Sequence, residues 1–312
     1  MPPPLHLLRS SEGTLSNSTL WPQEQPLGSY DYGQPYKLKA AGTSALDGIL
    51  NNARKAFAPG IKTGFAKLDE AVRMAPGRLI VLGARPGTGK TTLATQIAVQ
   101  VCKGHEHGMV FYCSVEMGPA EIGLKAISCL AKRNCITPYE ERDEQGITHV
   151  ESLVTFEQNT LSRLHVYYGT QLENILEACD LLAKNEDVPL LMVVVDFITS
   201  VQPIGEFATR SEAVGSVSKA LKAMAKRLDV PVLCCAQLNR GTAAGKPPSM
   251  KDIRDSGEIE QDADSVLLLH KPVDKEGALA GKVEIIIDKN RFGTMDSLSL
   301  YPQLHNHRFE EA

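Results

Sequence analysis

Gly87, Gly89, Lys90 and Thr91 stand at the spacing of a phosphate-gripping loop, within the run Gly83-Ala84-Arg85-Pro86-Gly87-Thr88-Gly89-Lys90-Thr91-Thr92. Glycines at such positions let successive backbone N–H groups turn inward as an anion nest at a helix N-terminus, where the dipole also favours negative charge. A lysine there supplies a mobile point charge for β- and γ-phosphates, and the following threonine supplies a hydroxyl for Mg²⁺. The run follows apolar Leu79-Ile80-Val81-Leu82 and precedes the helical stretch Leu93–Val101, the strand–loop–helix setting that the motif requires. Arg85, Pro86, Gly87, Thr88, Gly89, Lys90, Thr91 and Thr92 are the candidate nucleotide-binding residues. The first glycine of G-x-x-x-x-G-K-[ST] is replaced by Ala84. A Gly-rich turn arising by chance would not keep the other four, so the run predicts a chain that binds ATP or another NTP with Mg²⁺.

More polar residues stand just past other apolar runs. Val193-Val194-Val195 ends in Asp196, which can hold Mg²⁺ directly or through water; a strand closing on Asp at a turn is the ordinary alternative. After Val110–Ser114 comes Val115-Glu116-Met117. By position, Glu116 is equally a carboxylate that polarises water in line with a γ-phosphate and a helix N-terminal acid favoured by the dipole. Val232–Ala236 leads into Gln237-Leu238-Asn239-Arg240, where a neutral amide could sense a γ-phosphate or simply occupy a turn. Two loops could meet a nucleic-acid backbone: Ile204–Ser211, with Gly205 and Arg210, and Met250–Asp264, with Lys251, Arg254, Ser256 and Gly257 among many acids. Phosphate contact needs only an arginine or a few N–H groups per subunit when several subunits converge. An acidic solvated loop is the competing reading.

These residues need a frame to hold them together. Strands are expected at Leu79–Leu82, Met109–Ser114, Leu164–Tyr168, Leu190–Asp196, Pro231–Gln237, Val266–His270, Val283–Lys289 and Leu298–Tyr301. Helices are expected near Thr91–Lys103, Ala120–Lys132, Leu172–Lys184 and Glu212–Leu228. Near-continuous apolar strands imply burial on both faces of a parallel sheet, and the alternation with helices predicts a doubly wound α/β domain. Ligands of such sheets bind beyond the carboxyl ends of the strands, where the candidates above fall.

Residues 1–42 are rich in Pro, Ser, Gly, Gln and Asn without apolar periodicity, and read as a disordered tail. Trp21, Tyr30, Tyr32 and Tyr36 make it either a partner-docking segment or a passive one. From Ser44 the pattern changes: Leu46, Ile49, Leu50, Ala53 and Phe57 recur at helical spacing and Pro59-Gly60 stops the run, giving a helix within 43–59. A helix that short is marginal alone in water, so its apolar stripe must dock on this subunit or a neighbour.

Bulk composition narrows the class. The 312 residues are 43% hydrophobic and 22% charged with a net charge of −4, which fits a soluble globular chain and excludes a globally basic nucleic-acid footprint. No apolar run reaches membrane-spanning length, and the Met-Pro-Pro-Pro-Leu-His-Leu-Leu start is too short in apolar residues for a signal peptide. Seven cysteines without a C-x-x-C pair point to a reducing cytoplasm and small-hydrophobe roles. No zinc spacing is present, and His105 and His107 flank a loop at Gly104–Gly108.

Five segments in this order carry a resemblance: the Ala84–Thr92 run, Ser114-Val115-Glu116-Met117, Ala236-Gln237-Leu238-Asn239-Arg240, Asp252–Asp264 and Lys289-Asn290-Arg291-Phe292-Gly293. Together they are similar to the RecA-like motor domain of DnaB-family replicative helicases, over roughly 43–312. Ala84 in place of glycine is also similar to that family. The resemblance implies a RecA-like P-loop fold, a mainly parallel twisted sheet with helices on both faces preceded by a linker helix. It implies a homo-oligomeric ring, commonly hexameric, that hydrolyses ATP between neighbours and moves 5′→3′ on single-stranded DNA in a bacterial or phage-infected cytoplasm. By it, Glu116 becomes the catalytic base, Gln237 the γ-phosphate sensor, and Lys289 and Arg291 act in trans on the neighbour's γ-phosphate. Arg254, Asp255, Ser256 and Gly257 become the DNA loop, and the 43–59 helix a linker to the adjacent subunit. The polar tail stands where the family carries its N-terminal collar, which binds primase, so a helicase loader or primase is implied as a partner by the motor domain alone. Two rivals share the motifs: a RecA-like recombinase or repair ATPase that does not unwind, and a non-motor module that binds a helicase.

Overall fold

The computed structural model describes residues 60–239, 246–253, 257–273 and 281–312. The tail expected at 1–42, the helix expected at 43–59, and Arg240, Arg254, Asp255 and Ser256 lie outside these residues.

A short helix α1 (Ala66–Ala71) precedes β1 (Leu79–Ala84). The phosphate-loop run then leads into α2 (Lys90–Gly104), β2 (Met109–Ser114) and α3 (Pro119–Ala131). Three small helices follow, α4 (Thr137–Glu140), α5 (Glu144–Phe156) and α6 (Gln158–Leu161), before β3 (Leu164–Tyr168). Next come α7 (Leu172–Ala183), β4 (Leu190–Asp196), α8 (Arg210–Leu228) and β5 (Val232–Gln237). The chain finishes with α9 (Gly257–Asp262), β6 (Ser265–His270), β7 (Val283–Asn290), β8 (Ser297–Gln303) and β9 (Arg308–Glu311).

The nine strands form one sheet in the order β3-β2-β4-β5-β1-β6-β7-β8-β9. The pairs from β3 through β6 are parallel, and β7, β8 and β9 add antiparallel. All eight expected strands are present; β9 and the helices α1, α4–α6 and α9 are additions.

Successive side chains in a strand point to opposite faces, so each central strand feeds two apolar layers. Ile80, Leu82, Val110, Tyr112, Met192, Val194, Leu233 and Leu267 pack with Leu93, Ile97 and Val101 of α2 on one face. Leu79, Val81, Phe111, Val193, Val195, Val232 and Leu268 pack with Ile175 of α7 and Val217 and Leu221 of α8 on the other. Burying each such aliphatic side chain stabilises the fold by about 1.5–3 kcal/mol. A strand such as Val193-Val194-Val195, fully buried, can therefore hold a carboxylate at its end in a low-dielectric position. All seven cysteines are free and buried. Burial pushes the Cys102 thiol up to about 11, and burial followed by the nearby Asp196 charge pushes Cys113 up to about 12; these thiols act as apolar side chains.

The four-residue β9 docks on α2 through an amide clamp. The buried Gln96 side chain donates to Phe309 O at 2.9 Å and accepts from Phe309 N at 2.7 Å. Glu311 then caps the first turn of α1, accepting from Ala66 N at 3.0 Å and Lys67 N at 2.8 Å. The carboxyl-terminal strand thus braces the helix that begins at the phosphate loop.

Candidate nucleotide site and its counterpart across the sheet

Five parallel strands end side by side at one edge of the sheet. Ala84 of β1 is in register with Gln237 of β5 and Leu269 of β6, and Ser114 of β2 with Asp196 of β4. The sequence-expected phosphate loop, acid, catalytic carboxylate and sensor are therefore brought to a single edge. Gly83 sits where an added Cβ would lie 2.7 Å from Leu268 Cδ2, so the approach to the loop permits no side chain there. Ala84, one residue on, is tolerated with its side chain buried.

In the loop itself, Gly87 and Gly89 have φ of +74° and +100°, the left-handed region that other residues enter at a cost. Thr88 N donates to Arg85 O at 3.2 Å and closes the turn. Gly89 is the N-cap of α2, and no side-chain cap is present, so the first N–H groups of that helix are left for an anion. Thr91 is partly exposed on the first turn and Thr92 is buried. One cation was not legible as part of this loop: Lys271, just beyond β6, donates to Gly87 O at 2.9 Å. Its only sequence signal is a lysine directly after a strand that neighbours β1.

Lys90 Nζ lies 3.4 Å from Asp196 Oδ1 and 4.3 Å from the Phe197 ring centroid. Asp196 Oδ2 accepts from Tyr112 Oη at 3.1 Å, and Thr95 Oγ1 donates to the same hydroxyl at 3.4 Å. Burial, then the Asp196 charge, holds the Tyr112 hydroxyl well above its ordinary range, which keeps it protonated as a donor. Asp196 Oδ1 is buried and receives no hydrogen bond, although Lys90 is within ion-pair range. A buried carboxylate oxygen without a hydrogen bond, together with a partly exposed threonine on the first turn of α2, fits a hard cation that takes few protein oxygens and completes its shell from phosphate and water.

Glu116 is exposed just past β2. The turn that carries it is tied down on both sides: Val115 N donates to Asp196 O at 2.9 Å and Met117 N to Ser114 Oγ at 3.1 Å. Dipole stabilisation of α3 falls to Glu121, whose carboxylate accepts from Gly118 N at 2.9 Å. The capping hydrogen bond at this helix is made by Glu121 rather than by Glu116.

Gln237 closes β5, and its successor joins two segments. Leu238 N donates to Ala84 O at 3.1 Å, Leu238 is bridged antiparallel to Ile253, and Asn239 N donates to Asp252 O at 2.7 Å. The base of the phosphate loop, the exit of β5 and the residues immediately before Arg254 therefore form one hydrogen-bonded ladder. Gly257 resumes as the exposed first residue of α9. Arg210 is exposed at the start of α8, and its guanidinium donates to Thr199 O at 3.2 Å.

Lys289 and Arg291 fall at the opposite edge. In the antiparallel β7, Lys289 is in register with Val266 and Asn290 with Ser265, the first residues of β6. Arg291 N donates to Asp264 O at 2.9 Å, and Asp264 N to Leu79 O, the first residue of β1, at 2.8 Å. The six residues of β1 separate this end from the phosphate loop by about 17 Å of strand at about 3.3 Å per residue. Neither cation is brought near its own chain's phosphate loop. Their turn is built tightly: Asn290 Nδ2 donates to Ala71 O at 2.8 Å and to Thr294 O at 3.0 Å, and a Cβ on Gly293 would lie 2.4 Å from Ala71 O. Arg78 stacks 4.0 Å from the Phe292 ring centroid. Among the described residues no helix is long and apolar enough to cross a membrane.

The sequence model of the DnaB-like helicase C-terminal domain matches residues 60–311. The replicative DNA helicase DnaB of Leifsonia xyli is 32% identical over 88% of this chain and 61% of its own length. The replicative DNA helicase DnaC of Bacillus subtilis is 33% identical over 79% of this chain and 55% of its own length. A probable plasmid replicative DNA helicase of Chlamydia psittaci is 31% identical over 78% of this chain and 54% of its own. The chain thus spans little more than half the length of these relatives. Among solved structures, an ATPase domain is matched along its whole length with a TM-score of 0.74 at 24% identity, covering 88% of this chain. A DnaB-like replicative helicase, studied with its interactions with primase, aligns at a TM-score of 0.73 and 24% identity over 88% of this chain and 67% of its own. These two likenesses establish the RecA-like fold. With its motifs in order along that fold, the chain belongs to the DnaB-like helicase C-terminal domain family.

Proposed function

We propose that this chain is the motor of a ring-forming, ATP-dependent DNA helicase that moves on single-stranded DNA during replication. The observation that carries the reading is the separation of the two half-sites: phosphate loop, Asp196, Glu116 and Gln237 at one edge of the sheet, Lys289 and Arg291 at the other. One copy holds both halves and cannot close either on itself. Head-to-tail copies bring the second edge of one subunit to the first edge of the next, and such heterologous contacts close as rings when the rotation permits. A hexameric ring is the form we assign.

In this reading Lys90 and the N–H groups of Arg85–Thr92 bind the ATP phosphates, while Thr91 and Asp196 hold Mg²⁺. When bound, Mg²⁺ neutralises charge on the β- and γ-oxygens. Glu116 takes the proton of the attacking water. Arg291 of the neighbouring copy, with Lys289 beside it, offsets the charge that develops on the transferring phosphoryl group. Gln237 senses whether the γ-phosphate is present and passes that state through Leu238 to Ile253, the residue before the DNA loop of Arg254, Asp255, Ser256 and Gly257. Arg210 adds a cation at the same edge. The 43–59 helix links subunits; a loader or primase is the further partner we assign, and the cytoplasm of a bacterium or a phage-infected cell the setting.

The test is ATP hydrolysis with and without single-stranded DNA, followed by unwinding of a forked duplex. DNA-stimulated hydrolysis with strand separation is expected. DNA-stimulated hydrolysis with no unwinding would move the chain to a RecA-like ATPase without helicase activity. No hydrolysis at all would leave a helicase-binding module.

A further inference from the structure

Behind Arg291 stands a carboxylate that no motif reading assigns a role. Asp264 is 3% exposed immediately before β6. Its Oδ2 accepts from Leu79 N at 2.8 Å and from Lys222 Nζ of α8, and its Oδ1 lies 3.5 Å from Arg291 Nη1. Its carbonyl accepts from Arg291 N at 2.9 Å. Arg291 Nη2 donates to Gln261 O at 2.7 Å, and Lys289 Nζ to Glu260 O at 2.5 Å. Both carbonyls lie at the C-terminal end of α9, where the partial negative charge of a helix favours cations.

Two of the five N–H donors of the guanidinium are thereby engaged from within, while the side chain is 46% exposed. The arginine is held from behind and open on its outer side. Lys222, Lys289 and Arg291 converge here, with Arg78 also within reach of the Asp264 charge; burial lowers the pKa of both lysines, helped by Lys226 and then Arg291 for Lys222 and by Arg291 for Lys289. Asp264 is the carboxylate that hydrogen-bonds Lys222 and Arg291, and without it the three repel. Lys222 has a second anchor, donating to Gly77 O at 2.9 Å; among the described residues the Arg291 guanidinium has Gln261 O as its other anchor.

We propose that Asp264 is the positioning residue for Arg291, fixing the guanidinium so that it enters the neighbouring copy's nucleotide site with its geometry preset. This rests on the trans-acting reading above. A misplacement of about 1 Å in such a group costs about 10²-fold in rate, so Asp264→Asn is expected to lower kcat for ATP by about that factor with KM for ATP unchanged.

The measurement is steady-state ATP hydrolysis with single-stranded DNA, on single variants and on equal mixtures. Asp264→Asn retains its own phosphate loop, and Lys90→Ala retains its Asp264–Arg291 pair, so mixing two inactive proteins restores activity at about a quarter of interfaces in a statistically mixed ring. Arg291→Ala mixed with Lys90→Ala is the control. If the control recovers and the Asp264→Asn mixture does not, Asp264 acts only within its own subunit and the proposal is overturned; if the control itself stays silent, the trans reading fails and takes the proposal with it. A wild-type kcat in Asp264→Asn also overturns it. Lys222→Met with Asp264→Asn removes the buried pair without leaving a lone charge, so the melting midpoint should recover while kcat stays low; kcat recovering with the midpoint would show a purely structural role.

Discussion

Phe309 fills the space that a side chain on Gly89 would need: an added Cβ would lie 2.6 Å from Phe309 Cζ. Gly89 is required twice over, by its φ of +100° and by this contact. A non-glycine residue in such a conformation costs about 1–3 kcal/mol, and overpacking adds about 1–3 kcal/mol. Gly89→Ala should therefore lower the thermal midpoint by at least about 5 °C and weaken nucleotide binding. Phe309→Ala in the same chain removes the closest clash, leaving Leu304 Cδ2 at 3.1 Å and the backbone strain, so the double variant should be less destabilised than the sum of its parts. A midpoint for Gly89→Ala equal to wild type would refute the packing argument.

The contact also shows where the sequence stopped being legible. The central strands could be read because Val193, Val194 and Val195 and their neighbours are apolar on both faces, and a strand buried on both sides leaves an unbroken run. β9 is four residues with one buried position, Phe309. Its docking depends on the Gln96 amide, 213 residues away in sequence, and no local pattern encodes that. The helices α4–α6 enclose only a small cluster around Ile127, Cys135 and Val150, too few apolar positions to set a period. Asp264 closes an acid-rich run that could be either a nucleic-acid loop or a solvated one; its burial comes from strands and helices that converge only in the fold.

Glu116 gained standing from its surroundings. Its turn is pinned through Val115 to Asp196, and Glu121 takes over the helix cap. Its exposed carboxylate is free of the capping duty that competed with catalysis. Glu116→Gln keeps the shape and removes the base, and general-base catalysis is worth about 10²–10⁴-fold. ATP binding and assembly should persist while hydrolysis falls by that factor, measured by equilibrium nucleotide binding alongside phosphate release. Hydrolysis within a few-fold of wild type would remove Glu116 from the chemistry.

Gln237 makes a different prediction, because its neighbour Leu238 contacts both Ala84 and Ile253. If this ladder carries the nucleotide state to the DNA loop, Gln237→Ala should uncouple the two ligands rather than abolish either. Coupling free energies between sites are typically about 1–3 kcal/mol. The stimulation of hydrolysis by single-stranded DNA should drop about 5-fold or more, with DNA-free hydrolysis less affected. Coupling is reciprocal between binding free energies, so the tightening of DNA binding by a non-hydrolysable ATP analogue and the tightening of analogue binding by DNA should shrink together, by one common factor. Loss of the hydrolytic stimulation with the binding coupling intact would place Gln237 in the chemistry alone and remove it from the ladder.

His307 tests the brace behind α2 through pH. It sits at φ +50° between β8 and β9, and its Nδ1 lies 3.3 Å from Lys125 Nζ of α3, so the neutral ring accepts from the ammonium. Burial first, and the Lys125 charge second, lower its pKa from 6.5 to about 4. The folded protein keeps this ring neutral while the unfolded chain protonates it near its ordinary value. The resulting stability is fully present above about pH 6.5 and is lost as pH falls from there towards about 4. Carboxylates titrate in the same range, so the wild-type curve alone does not isolate it. His307→Asn does: asparagine tolerates the left-handed backbone and carries no proton. The stability difference between His307→Asn and wild type, from urea denaturation, should change in favour of the variant as pH is lowered from about 7.5 to about 5. A difference that stays constant across that range would mean that His307 titrates alike in both states, and that Lys125 does not face it in solution.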